Sequence, residues 1–208
     1  MFNIEDLYMS AKLQFRFTAF TLLLLLIPFI SGCGINNIPA YDEEVQASWS
    51  QVLNQYKRRS DLIPNLVNTV KGFAAQEKEV LLGVTEARSK VANMNLPKDM
   101  LTNPEAFQSF QKNQAALSSS LARLLLVVER YPELKSNQNF LALQSQLEGT
   151  ENRIAVARRD YITAVQKYNT ELRTFPGRIW HMILYSEMDV KQNFTVSEAE
   201  QQTPEVKF

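Results

Sequence analysis

The sequence has little of several residue types on which common protein chemistries depend. Its 208 residues include one cysteine and one histidine, which excludes an internal disulfide and a histidine-rich metal site. The 22 basic and 22 acidic residues balance, and neither sign forms a long block, so a nucleic-acid partner is not expected. Six glycines are few, as expected for a chain that is mostly helical.

Recognisable catalytic motifs are absent as well. The sequence contains no glycine-rich phosphate loop, no Gly-x-Ser-x-Gly turn and no His-Glu-x-x-His motif. A serine–histidine–acid triad would have to use His181, which lies near the start of the C-terminal tail and in no motif. A di-metal helical bundle needs Glu-x-x-His on two helices, and neither copy exists. We therefore expect a protein that is not an enzyme and uses no cofactor or metal.

The N-terminal residues are organised like a secretory signal. Lys12 and Arg16 precede a mostly apolar run at residues 17–30, which is too short to favour a transmembrane helix. We predict that residues 1–32 are a cleaved signal peptide. Acidic residues near the N-terminus do not suit such a signal, so Met9 is an alternative start.

The sole cysteine lies directly after this signal, in Ile30-Ser31-Gly32-Cys33. These four residues resemble a bacterial lipobox, in which a thiol carries lipid and small residues admit the peptidase. Several acyl chains such as palmitate, at ~0.8 kcal/mol per buried methylene, would make anchoring stable. We predict lipid attachment at Cys33 and a place in the bacterial cell envelope, facing the periplasm or exterior. The alternative is an uncleaved signal anchor with an incidental cysteine.

The segment after a tether at residues 33–40 has the periodicity of a bundle helix that starts near Tyr41. Apolar residues recur at alternating steps of four and three, which keeps them on one helix face. This apolar seam comprises Val45, Trp49, Val52, Tyr56, Ile63, Leu66, Val70, Phe73, Val80, Val84, Ala87 and Val91. Arg59 and Glu77 are the polar residues that interrupt it.

Pro64 is the residue in this segment that disfavours a continuous helix. Inside a helix it removes a hydrogen bond and clashes with the carbonyl of Ser60, at a cost of ~3 kcal/mol. Two outcomes remain open, a kinked helix or a split in which Ser60 or Asp61 caps a new helix.

Two further long helices follow from the same spacing. Asn103 and Pro104 are a cap and a first helical residue, and Pro176 ends the last long segment. Short connections favour antiparallel neighbours. The predicted fold is all-α, an antiparallel bundle of three long helices in residues 41–176. The first helix is kinked or split at Pro64, to give a four-helix up-and-down arrangement.

Residues 177–208 form a C-terminal aromatic segment and a polar tail. The aromatic part, residues 179–185, includes Trp180. It is either a patch that faces a membrane or partner, or a short segment packed across the end of the bundle.

Several motifs of the chain resemble those of the LemA family, over residues 36–208. They are Arg58-Arg59-x-Asp61-Leu62-Ile63-Pro64-Asn65-Leu66-Val67, Val70-Lys71-Gly72-Phe73, Tyr131-Pro132-Glu133-Leu134-Lys135, Gln144-Leu147-Glu148-Thr150-Glu151-Ile154-Ala157-Arg158, Tyr161, Tyr168-Asn169 and Phe175-Pro176. The resemblance implies a membrane-attached helical bundle outside the cytoplasm, with no established enzymatic activity and no catalytic residues.

Two functions remain open. One is a scaffold that binds unidentified envelope proteins or a second copy, with Arg58, Arg59, Asp61 and Trp180 as candidate interaction residues. The first three residues could instead serve as helix caps and a polar bundle layer. The other function is a small-ligand binder or enzyme with an interior polar site around Arg59 and Glu77.

Overall fold

The computed structural model describes Thr18 and residues 34–195, and every regular element within residues 34–195 is a helix. The helices are α1 Asn37–Phe73, α2 Lys78–Ala92, α3 Pro104–Val128, α4 Pro132–Lys135, α5 Gln138–Arg173 and α6 Gly177–Leu184. The predicted all-α class is confirmed. The predicted signal peptide, the alternative start at Met9 and Cys33 lie outside the described residues.

Helix α1 begins at Asn37, so the predicted start near Tyr41 is wrong and the last part of the expected tether is helical. Pro39 is compatible with this start because N–H groups in the first helical turn have no intrahelical acceptor. The Asn37 N–H donates to the Gly34 carbonyl at 3.0 Å. Gly34 has a φ of 81°, a left-handed conformation that glycine adopts without a steric penalty.

The predicted split at Pro64 is wrong. Helix α1 continues through Pro64 to Phe73, as the kinked alternative requires. The break that separates α1 from α2 lies instead at residues 74–77. The first predicted segment therefore does form two helices, but they divide ten residues beyond the proline.

A side chain from α2 makes the hydrogen bond that Pro64 cannot. The carbonyl of Ser60, four residues before the proline, accepts a hydrogen bond from Nε of Arg88 at 2.9 Å. Ser60 is buried, and a buried carbonyl without a partner costs about 1–3 kcal/mol. The Arg88 hydrogen bond offsets that part of the cost of the proline, which explains why the helix continues.

Arg88→Ala is expected to lower the free energy of unfolding by about 1–2 kcal/mol, because the Ser60 carbonyl loses its partner. In a Pro64→Ala background the loss should be smaller, since the alanine N–H can donate to the same carbonyl. Urea denaturation of the four proteins in this double-mutant cycle measures the coupling. Arg123→Ala, at an exposed position of α3, is the control. Equal losses in both backgrounds would contradict the explanation.

The described residues fall into two compact units. The bundle unit comprises residues 41–169 and 189–195, and the terminal unit comprises residues 34–40 and 170–188. Helices α1 and α5 each have residues in both.

Most residues of the predicted apolar seam lie in the core of the bundle unit, together with Ala74, Leu81 and Leu134, which the predicted spacing did not include. One large buried cluster comprises Ile63, Leu66, Val70, Ala74, Leu81, Val84, Ala87, Leu117, Leu121, Leu124, Val128, Leu134, Phe140 and Leu147. Of the predicted seam, Phe73 is exposed, since it lies where α1 ends. Asn103 caps α3 as predicted, because its side chain accepts hydrogen bonds from the N–H groups of Glu105 and Ala106.

The part of the predicted polar tail at residues 189–195 packs on α5 within the bundle unit. The Asn169 side chain accepts a hydrogen bond from the N–H of Lys191 and donates one to its carbonyl, both at 2.9 Å. The hydroxyl of Tyr161 donates to the carbonyl of Gln192 at 2.8 Å. Burial raises the pKa of this hydroxyl. We call residues 189–195 the C-terminal strap.

The strap contributes Phe194 to an aromatic cluster at the core of the bundle unit. Its Phe194 ring lies 5.2 Å from the Phe107 ring and 5.5 Å from the Tyr161 ring, centroid to centroid. Trp49 lies 5.1 Å from Phe110 and 5.3 Å from Tyr161. Such pairs add about 0.5–1.5 kcal/mol each beyond the area they bury. The strap is therefore part of the folded unit.

Candidate functional site

Arg59 projects from α1 into the bundle unit and is 1% exposed. Its Nη1 donates to the Ser118 hydroxyl at 2.9 Å and to the Glu151 carboxylate at 3.1 Å. Its Nη2 donates to the Gln114 side-chain oxygen at 2.6 Å. The guanidinium also lies 5.0 Å from the Tyr56 ring centroid. We call Arg59 and its three hydrogen-bond partners the arginine layer.

The arginine layer joins α1, α3 and α5 through one buried cation. Gln114 is also buried, whereas the Glu151 side chain is 43% exposed. The carboxylate therefore neutralises the guanidinium while it keeps part of its hydration, which lowers the cost of burying the pair. Nε of Arg59 has no hydrogen-bond partner among the described residues. This arrangement fits the structural alternative from the sequence, a polar bundle layer.

The candidate residues next to Arg59 face solvent. Arg58 and Asp61 are exposed, and Asp61 forms an ion pair with Lys57 at 3.1 Å. Both members of that pair are more than half exposed, so it contributes at most about 1 kcal/mol. Because neighbouring residues on a helix point about 100° apart, Arg58 and Arg59 have different environments.

Glu77 belongs to a second polar cluster. Its carboxylate accepts a hydrogen bond from the Tyr131 hydroxyl at 2.8 Å and forms an ion pair with Arg130, whose Nη2 lies 3.0 Å away. The hydrogen bond to the carboxylate raises the pKa of the Tyr131 hydroxyl. Gln76 also donates to that hydroxyl at 2.8 Å. The structure thus places Glu77 and Arg59 in separate clusters with different partners.

A surface groove of about 560 Å³ lies on the bundle unit, beside α1 and α5. Its lining residues are Ala47, Ser48, Gln51, Gln55, Asn152, Arg153, Val156, Ala157 and Asp160. Within the described part of the chain, no group of three or more His, Cys, Asp or Glu residues could hold a metal ion. In the same part, no helix combines the length and apolarity needed to cross a membrane.

The terminal unit carries a concentrated group of exposed apolar side chains on and just before α6. We call this group the apolar patch; it comprises Phe175, Ile179, Met182, Ile183 and Leu184. Phe175 is 82% exposed and Met182 is 71% exposed. Trp180, the candidate residue from the sequence, is half-buried beside them. Of the two interpretations of this segment, the exposure favours the surface patch.

Close contacts within the terminal unit hold α6 in place. The Asn37 side chain donates to the Glu171 carboxylate at 3.1 Å. Gly177, the first residue of α6, lies against the same glutamate, so closely that a Cβ there would be 2.8 Å from the carboxylate. At the other end, a His181 ring nitrogen lies 3.1 Å from the Met188 carbonyl oxygen, within hydrogen-bond distance.

Known proteins resemble most of this chain. The sequence model of the LemA family matches residues 48–208. The chain is 26% identical over 163 residues to Protein LemA of Metamycoplasma hominis, an alignment that covers 78% of this chain and 70% of that protein.

The chain is also similar to proteins named for the magnetosome. Identity is 25% over 166 residues to magnetosome protein MamQ 2 of Paramagnetospirillum magneticum. It is 24% over 157 residues to magnetosome protein MamQ of Magnetospirillum gryphiswaldense. The alignments cover 72% and 68% of this chain. They span 60% and 58% of those two proteins, less than two thirds of their length.

Proposed function

The chain belongs to the LemA family, and on that premise we propose that it is a non-catalytic scaffold of the bacterial cell envelope. Lipid on Cys33 attaches it to a membrane. Exposed faces of its helical bundle bind other envelope proteins or a second copy. Arg58 and Asp61 on α1 are the first candidates for that contact, because both are exposed and charged.

The observation that carries this proposal is the closed arginine layer. Arg59 is the most deeply buried charged residue described, and the bundle's own side chains occupy both of its terminal nitrogens. A ligand would have to displace Gln114, Ser118 or Glu151 to reach the guanidinium. The interior thus favours a structural role for Arg59 and leaves the outer faces for recognition.

The anchor is tested on protein purified from membranes. We expect mass spectrometry to find a mature chain that begins at an acylated Cys33. Cys33→Ala should instead accumulate with its leader attached, because the acceptor thiol is missing. A bare thiol with the leader still present in the unaltered chain would overturn lipid anchoring.

The scaffold role is tested with a photo-crosslinking residue at position 58, on the tagged, lipidated chain in its membrane. A crosslinker at exposed position 123 is the matched control. We expect a discrete adduct at position 58 that the charge reversal Asp61→Arg weakens. Identical adduct patterns at both positions would contradict recognition through this face. A ligand that raises the melting temperature of the unaltered chain but not of a folded Arg59→Lys variant would support the interior-site alternative.

A further inference from the structure

We propose that the apolar patch of α6 is a second membrane contact, which lies in the headgroup and acyl boundary of the bilayer. The inference deepens the proposed function and rests on lipid attachment at Cys33. Helix α6 would then hold the terminal unit against the bilayer surface.

The exposure of the patch is the first observation. Within ten residues, Phe175, Met182 and Ile183 are 82%, 71% and 63% exposed. Exposed leucines elsewhere in the described chain, such as Leu82 and Leu126, stand singly on helix faces, which is ordinary for a protein surface. Burial of apolar side chains is the main force that draws a surface helix into a membrane interface.

Charge is the second observation. Exposed Arg173 and Arg178 border a groove of about 440 Å³ that His181 and Met182 also line. Cations beside an apolar face are typical of helices that lie in a membrane interface, where they contact lipid phosphates. Glu187 is the exposed carboxylate of the unit, and it lies beyond the end of α6.

The third observation is that the proposed lipid-bearing cysteine is next in sequence to the terminal unit. This proximity favours a bilayer over a soluble partner. Cys33 is bonded directly to Gly34, the first described residue of the terminal unit. A Cβ at Gly34 would lie 3.6 Å from the Glu171 carboxylate, and that carboxylate also contacts Gly177 at the start of α6. Lipid on Cys33 therefore brings the membrane surface to the same compact unit that carries the patch.

The test uses the full lipidated chain in vesicles of phosphatidylethanolamine and phosphatidylglycerol. Met182→Cys receives an environment-sensitive fluorophore, and acylation of Cys33 leaves the new thiol as the site of labelling. Leu126→Cys on the bundle unit is the matched control, since both positions are 71% exposed. Circular dichroism checks that both labelled chains fold, and Ile183→Cys is a second labelling position.

We expect nitroxide lipids to quench the label at position 182 by roughly twofold or more, as for a group at the acyl boundary, and to leave position 126 unaffected. Aqueous iodide should quench position 126 more strongly than position 182. Adding Ile183→Glu should reduce lipid quenching at position 182. Quenching at 182 by iodide alone, or protection from both quenchers by a covering protein, would overturn the proposal.

The experiments distinguish an error in the proposed lipid anchor at Cys33 from an error in the proposed membrane contact of the apolar patch. If mass spectrometry finds Cys33 without lipid, the anchor is wrong, and the same quenching measurement is made on the chain with Cys33→Ser, Met182→Cys and the leader still attached. Lipid quenching there supports the patch without the anchor. Vesicle-bound, acylated protein without lipid quenching at position 182 contradicts the patch alone.

Discussion

Arg59→Ala is expected to lower the free energy of unfolding by about 3 kcal/mol, the size found when a large buried side chain is truncated and its polar partner stays buried. The alanine leaves the buried Gln114 side chain without its donor and opens a cavity between α1, α3 and α5. Urea denaturation followed by far-ultraviolet circular dichroism measures the change.

The adjacent Arg58→Ala is the control, because it removes the same side chain from an exposed position of the same helix. Its effect should stay within about 0.5 kcal/mol. Glu151→Gln keeps an acceptor for Nη1 of Arg59 but removes the negative charge, and an intermediate loss is expected. Equal stability of the Arg59→Ala and Arg58→Ala proteins would refute the structural role of the arginine layer.

Gly177→Ala is expected to destabilise the terminal unit by about 3 kcal/mol, the upper part of the range for added atoms in a filled site. The new Cβ would fall inside contact distance of the Glu171 backbone carbonyl oxygen and 2.8 Å from its carboxylate. Because a backbone atom cannot rotate away, α5 and α6 have to separate. Hydrogen exchange of amides in α6 detects the local loss.

The same substitution at Gly83, Gly83→Ala, is expected to raise stability instead of lowering it. Its Cβ would have no neighbour within 4 Å, and Gly83 lies in the interior of α2. Alanine should therefore stabilise that helix by roughly 0.5–1 kcal/mol. In Gly177→Ala, by contrast, we expect faster amide exchange that is confined to α6. Unchanged protection of the α6 amides would contradict the packing argument.

The helical class and the core follow from the sequence because periodicity is a local signal. Val45, Val52 and Val70 are all fully buried, as the spacing along α1 requires. Pro64 left a kinked and a split helix open in the same analysis, because the donor that replaces its missing N–H comes from Arg88, 28 residues after Ser60. The sequence does carry a signal for the early start of α1 in Ile38, which lies two helical turns before Val45 and is also fully buried.

The candidate site was predictable only in part. Arg58, Arg59 and Asp61 were candidates for one interaction surface or for helix caps and a polar bundle layer. Arg59 also interrupts the apolar seam, and it is buried whereas the other two are exposed. The burial of Gln114 could be predicted, because this polar residue occupies one of the regularly spaced, otherwise apolar positions of α3. Glu151, which pairs with Arg59, was not predictable from spacing, because a long-range contact leaves no mark on local periodicity.

The hydrogen bond from Arg88 to the Ser60 carbonyl also affects the order in which substitutions at positions 64 and 88 can be tolerated during evolution. A lineage that first exchanges the proline for a residue with an N–H can later lose the arginine at little cost. If the arginine is lost first, the intermediate has a buried carbonyl without a hydrogen-bond partner in the interior of α1. Tolerance of mutation at position 88 is therefore set by the history of position 64.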